Sequence, residues 1–397
     1  MSISRKIDMH HAALQAFHWG GSGSLWCYVT VLLLSLGFNN TYVGTLTGIA
    51  LLVPIAVQPV LSSLVDRSAR LTSRGMAIAL TAVCLGSAAA LWVFLSIPAA
   101  VTLCVILIGV AMHMVPPFFN AMVMDYSRRG VAVNFGLGRG IGSISYAVFC
   151  LSLGLILEKH SPVLVIPVFL ATVLGQAVFL YTFRYPLPPL TATEEQSASV
   201  LSLGRLLKKY PAFTVLLLGC AFLQGSHNTL NTYMIHVAEK VGAGEGLMGT
   251  LMAIGACMEL PSMALFLRIR RKVPLKWLLR ICGIGFLMKC VLFSLAQTAT
   301  LLYVGSALQF MELGLFVPCT VCYVSEKLDS ANQVKGQGLI HVCSNGLGPA
   351  LIAYVCGRLT DISGMGSTLT FLCITALLGC VITWVATSRL LDKEAFS

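Results

Sequence analysis

Charge is what this sequence has least of. Asp, Glu, Lys and Arg make up only 10% of its 397 residues, and just 15 carboxylates are spread along the whole length. A soluble globular domain carries about 25% charged residues, so a water-facing surface of ordinary extent is excluded. Long polar stretches are also scarce; the longest is RYPLPPLTATEEQSASVLSLGRLLKKY, in which Pro186, Pro188 and Pro189 prevent a continuous helix. The opening MSISRKIDMHH lacks the small-residue cleavage pattern of a signal peptide and is expected to be retained. No nucleophile and base pair, metal-ligand cluster or nucleotide-binding motif stands out, so neither an enzyme nor a metal or organic cofactor is expected. The 14 cysteines fall singly in apolar segments without a disulfide spacing. Cys319 and Cys322 form a C-x-x-C, but inside an apolar run, where they read as small hydrophobes.

What is present in abundance is apolar length. Hydrophobic residues make up 57% of the chain and the mean hydropathy is +0.86. About 20 residues are needed to cross a hydrocarbon core, and twelve such runs are legible: 13–37, 42–65, 73–95, 98–122, 136–157, 162–183, 211–236, 246–268, 274–296, 299–324, 336–357 and 365–387. The expectation is an all-α polytopic membrane protein with six helices in 1–184, a cytoplasmic linker over 185–210, and six more in 211–397. Of the 26 Lys and Arg residues, 22 fall on one side of this arrangement, while Lys159, Lys240 and Arg358 fall on the other and Lys289 lies within a span. The +11 net charge is therefore topological rather than a nucleic-acid footprint, and it places both termini in the cytoplasm. The sequon Asn39-Asn40-Thr41 lies too close to the membrane to be read as a glycosylation site.

The halves repeat one another. Gly44-Thr45-Leu46 reappears as Gly249-Thr250-Leu251, the Pro117 and Asp125 pair as Pro318 and Glu326, and Gly136-Leu137-Gly138 as Gly336-Gln337-Gly338, at offsets of 205, 201 and 200 residues. Three matches at nearly one offset predict two pseudo-symmetric six-helix bundles related by an axis along the membrane normal, the arrangement of major facilitator transporters.

Motifs sharpen that resemblance. Asp66, Arg67 and Arg70 in SSLVDRSAR resemble the major facilitator loop signature G-x-x-x-D-R-x-G-R, with Ser62 and Ala69 where glycines are usual. The resemblance implies a cytoplasmic gate in which the acid meets a neighbouring helix end and the basic residues. Ser127-Arg128-Arg129, then Phe135-Gly136 with Arg139 three residues on and Tyr146 seven after it, is similar to the oligosaccharide:proton symporter branch typified by lactose permease. It implies that Arg139 and Tyr146 contact substrate, with Asn120 where that branch has an acid. Read without it, Arg139 is a helix-end cation reaching the interface, Tyr146 packs, and the glycines at 136, 138, 140 and 142 serve close helix packing. His227 and Asn231 share a helical face and are either hydrogen-bonding glue or a substrate-facing stripe.

Three apolar runs in the second half each hold one ionisable residue near the middle: Glu259, Lys289 and Glu312. A charge at bilayer depth costs about 2.5–3.5 kcal/mol on insertion scales, so these residues are expected to face a protein interior or a watery cavity. Glu259-Leu260-Pro261 resembles motifs of both the lactose permease and phenylpropionate permease branches, and Gln309-x-x-Glu312 stands where the former has H-x-x-E. The resemblance implies that Glu312 carries a proton, Lys289 aids its release, Gln309 replaces the histidine and Glu259 binds substrate. The function expected is a monomeric proton-coupled symporter of the plasma (inner) membrane. It would import a small polar solute such as a sugar, nucleoside or aromatic acid, with the proton as its coupling ion and lipid and substrate as its partners. Drug efflux and a non-transporting receptor or scaffold are the competing expectations; the short outer loops leave little surface for the latter.

Overall fold

The computed structural model describes residues 3–68, 71–186 and 201–390, and the regular structure among them is helical throughout. The N-terminal part holds α1 (Ile3–Gly21), α2 (Val29–Ser35), α3 (Asn40–Arg67), α4 (Ser73–Val93), α5 (Pro98–Arg128), α6 (Phe135–Leu157) and α7 (Val165–Thr182). After the linker come α8 (Leu203–Lys209), α9 (Pro211–Thr232), α10 (Met234–Lys240), α11 (Glu245–Lys272), α12 (Leu275–Leu295), α13 (Ala299–Ala307), α14 (Leu313–Lys327), α15 (Ser330–Val342) and α16 (Gly348–Val385).

Each of the twelve apolar runs is helical, but they are not twelve uninterrupted helices. Among the described residues nine helices are long and apolar enough to cross a membrane, or ten if α8 and α9, bent by 104°, form one span. The first run breaks into α1, a π-helical turn at Ser22–Trp26 and α2. The last two runs follow one another through α15, a π-helical turn at Cys343–Leu347 and α16, which is kinked at Gly364, whose φ of 77° and ψ of 174° suit a residue without Cβ. The tenth breaks at a 3-10 turn, Leu308–Phe310, followed by Glu312 with ψ of −93°. Helix ends also run past the apolar limits: α5 continues to Arg128 and α11 to Lys272, because polar residues extend a helix beyond the hydrocarbon.

The chain divides into two compact units, Met1–Phe38 with Ile49–Glu194, and Asn39–Gly48 with Glu195–Ser397. In the first, α1 and α6 approach closely. A Cβ on Gly138 would lie 2.6 Å from His11 and one on Gly142 2.5 Å from Trp19, so two glycines one turn apart seat two rings of α1. A core of Leu14, Val115, Phe118, Phe119 and Val123 closes the basic end of this unit.

In the second unit Phe213, Leu216, Leu223, Phe286, Phe316 and Tyr323 form the corresponding core. Its opposite end is closed by Asp361. One carboxylate oxygen accepts from the Asn40 backbone and side chain, both at 3.0 Å, and the other from the Thr41 backbone at 2.7 Å and hydroxyl at 2.6 Å. Asn39 caps the same helix by accepting from Tyr42 N at 2.8 Å. The sequon residues are thus a helix start, capped once locally and once by a carboxylate 320 residues away.

Candidate functional site

In the second unit, residues separated in sequence meet in one hydrogen-bonded chain. Lys289 Nζ, on α12, donates to Glu312 Oε1 at 2.6 Å and to Gln309 Oε1 at 2.8 Å. The Gln309 amide in turn donates to Glu259 Oε1, on α11, at 2.8 Å. On the other side His227 Nδ1, on α9, lies 3.0 Å from the same Glu312 oxygen, and His227 Nε2 lies 3.1 Å from Asn231 Nδ2. Because the Asn231 amide donates, Nε2 accepts and the ring proton sits on Nδ1, donating to Glu312. Lys289 is 2% and Glu312 0% exposed, so this ion pair is fully desolvated. Glu312 Oε2 makes no hydrogen bond with a described residue, which leaves one oxygen of the carboxylate open to a proton.

Local structure explains the convergence. In a 3-10 turn, residues three apart eclipse one another, and the turn at Leu308–Phe310 brings Gln309 and Glu312 to the same side, where Lys289 meets both. Ser262 Oγ donates to Phe310 O at 2.7 Å and satisfies a carbonyl of the broken segment. Glycine supplies the room: a Cβ on Gly255 would lie 2.5 Å from Gln309 Oε1, and one on Gly285 3.2 Å from Glu312 N.

The first unit gathers a different set. Asn120 Oδ1 on α5 accepts from Gln15 Nε2 at 3.1 Å and meets His11 Nε2 at 3.2 Å. Gln15 Oε1 accepts from Trp19 Nε1 at 2.9 Å, and the Arg139 guanidinium carbon stands 4.7 Å from the Trp19 ring centroid. Arg139 also donates to Ser143 Oγ at 2.9 Å, and Tyr146 lies edge-on to Trp19 with centroids 6.4 Å apart. The three residues of this unit expected to bind substrate are therefore linked through Gln15, Trp19 and His11; the sequence marks Trp19 as either hydrogen-bonding glue or substrate-facing, while Gln15 and His11 were missed. Their signal was present, since Gln15 lies four residues from both His11 and Trp19 on one helical face.

His227 is hydrogen-bonded into the carboxylate and lysine cluster through Glu312. One expectation needs correction. At the supposed gate, Asp66 and Arg67 are exposed and pair with no other described residue; Arg70 lies outside the described residues. Adjacent helical positions do not face one another, so Asp66 and Arg67 cannot pair with each other. The basic residue that does meet a helix end there is Arg74, donating to Leu180 O at 2.8 Å and to Tyr181 O at the end of α7.

The profile of the MFS_1-like family matches residues 12–373. The chain belongs to this family. It is accordingly an integral membrane protein of the major facilitator type, a transporter and not an enzyme. No curated protein matches it. Among solved structures it is similar to the nucleoside transporter NupG, with a TM-score of 0.78 at 15% identity over 96% of this chain and 98% of that one. It is also similar to the POT family transporter PepTSo, with a TM-score of 0.75 at 11% identity over 99% of each chain. A third is a bacterial homologue of the human lysosomal transporter Spinster, with a TM-score of 0.72 at 12% identity, again over 99% of each. At these identities the likeness carries the fold alone.

Proposed function

We propose that this transporter of the MFS_1-like family imports a small polar solute together with a proton across the plasma (inner) membrane, both termini cytoplasmic, as a monomer. The observation that carries the reading is the buried chain Glu259, Gln309, Lys289, Glu312 and His227, which ends at half-buried Asn231. With His227 neutral, two carboxylates share one ammonium, so the cluster is balanced only when one carboxylate holds a proton. A lone buried charge is far costlier than a pair. Taking up a proton therefore changes which groups Lys289 binds: with Glu312 protonated, its counter-charge is Glu259, reached through the Gln309 amide. A proton thus rearranges bonds from three helices, which is what coupling to a conformational cycle requires.

The Arg139, Trp19, Asn120 and Gln15 set offers planar amides, an indole and a guanidinium, the groups that hold hydroxylated or ring-bearing polar solutes. NupG, similar over nearly its whole length, is a nucleoside transporter, which supports a nucleoside as the first solute to assay, ahead of sugars and aromatic acids. The test is uptake into proteoliposomes with an inward proton gradient. Accumulation abolished by an uncoupler supports symport; accumulation indifferent to the uncoupler overturns it.

A further inference from the structure

Arg280 is a cation that neither polar cluster uses. It lies in the second turn of α12, 8% exposed, and no carboxylate among the described residues pairs with it. Lys289 and Arg270 show what is missing, since they pair with Glu312 and Glu326. Arg280 Nε donates to Thr387 Oγ1 at 3.0 Å, and Nη2 to Thr387 O at 3.2 Å and Ser388 Oγ at 2.7 Å. Capping the carbonyl after α16 explains those two nitrogens. It does not explain the missing counter-charge or Nη1, which bonds to no described residue.

Two indoles flank the guanidinium on adjacent sides. Its carbon stands 4.7 Å from the Trp277 ring centroid and 4.6 Å from that of Trp384, and the two rings meet edge-on at 6.1 Å and 90°. Both are outward-facing, Trp277 being 44% and Trp384 40% exposed. The exposed Lys276 adjoins Trp277, and the run Arg268, Arg270, Arg271 and Lys272 lies just before α12. An exposed indole pair on a membrane protein belongs at the headgroup level. A basic pocket between two helices at that level suits an acidic headgroup, and Nη1, whose two N–H groups meet no described acceptor, is the part of the guanidinium left for a phosphate oxygen.

We propose that Arg280, seated in the corner formed by Trp277 and Trp384, binds the phosphate of an anionic membrane lipid. The probe is phosphatidylglycerol in nanodiscs of mixed phosphatidylglycerol and phosphatidylcholine, with co-purified lipid quantified by mass spectrometry. The intact chain should retain phosphatidylglycerol preferentially, and Arg280→Gln should lower that preference about fivefold. Inorganic phosphate should not displace the lipid; displacement would make the occupant a free anion and overturn the proposal. Equal retention by the intact chain and Arg280→Gln would also overturn it. So would a preference that appears only after neutralising Asp392 and Glu394, because the chain's own C-terminal segment would then be the occupant.

A second measurement does not depend on the folding of Arg280→Gln. Brominated phosphatidylglycerol should quench tryptophan fluorescence of the intact chain more than brominated phosphatidylcholine, and Trp277→Phe with Trp384→Phe should abolish the excess. Identical quenching by the two lipids contradicts the site.

Discussion

The two units bury polar clusters of opposite character. In the first, the named members of the network are amides, imidazole, an indole and one guanidinium, and the cation is met by a π face and a hydroxyl. In the second, two carboxylates converge on one ammonium with an amide between them. The first arrangement holds no carboxylate among its named members. Under the proposed mechanism the second changes its bonding when one proton arrives or leaves. On the proposed reading one unit holds a solute and the other registers a proton, and mutations can test this division.

The largest effect should come from Lys289→Ala, which leaves Glu312 buried without its ammonium. Removing one partner of a buried pair costs about 3–5 kcal/mol, so folded yield and thermal midpoint should fall sharply. Adding Glu312→Gln should recover much of the loss. Thermal unfolding of the single and double variants checks this, and no recovery in the double variant would mean the two do not act as a pair.

Next in size is Asp361→Ala, at the opposite end of the second unit. It removes the acceptor of four hydrogen bonds from the start of α3 and should cost about 1–2 kcal/mol, as loss of a helix cap does. Because Asp361 belongs to neither cluster, the lower thermal midpoint should come without loss of proton dependence. Loss of that dependence would erase the separation drawn between scaffold and coupling site.

The comparison predicts a different kind of loss for Arg139→Lys. The charge stays, but the planar face on Trp19 goes, and a cation–π contact of about 1 kcal/mol corresponds to roughly fivefold in solute affinity. Apparent affinity should fall while proton dependence is kept. Altered coupling in this variant would show that the first unit also senses the proton.

The smallest effect belongs to Asp329, which bonds exposed Lys209 outside the spans. The Lys209 ammonium holds the Asp329 carboxyl below its usual range, and the carboxylate raises Lys209. The Asp329 contribution is present above the ordinary carboxylate range and fades as pH falls through the lowered value; that of Lys209 fades as pH rises through its raised value. Asp329→Asn should barely move the thermal midpoint at neutral pH, and the difference should vanish in acid. A large shift would place a structural hinge where only a solvated pair is expected.

How much of this was legible in the sequence depends on what sets each feature. Glu259, Lys289, Gln309 and Glu312 stood out because a polar side chain in an apolar run is costly, and the 23 residues from Lys289 to Glu312 return the chain to one depth. Periodicity put His227 and Asn231 on one face but could not say which helix that face meets, so His227 was not connected to Glu312. The break before Glu312 left no mark, since LQFME contains neither Pro nor Gly. It follows instead from tertiary bonds, those of Lys289 and of Ser262 to the turn. Arg280 read as one more topological cation, because its two tryptophans are 107 residues apart in sequence.

Glu312→Gln separates proton coupling from solute binding, because glutamine keeps the hydrogen-bonding shape and cannot lose a proton. Counterflow and gradient-driven uptake should be measured in the same proteoliposomes with the same solute. Counterflow should persist while accumulation against the solute gradient disappears. Retained uphill accumulation in the Glu312→Gln protein would contradict proton coupling at Glu312 and move the coupled proton to Glu259.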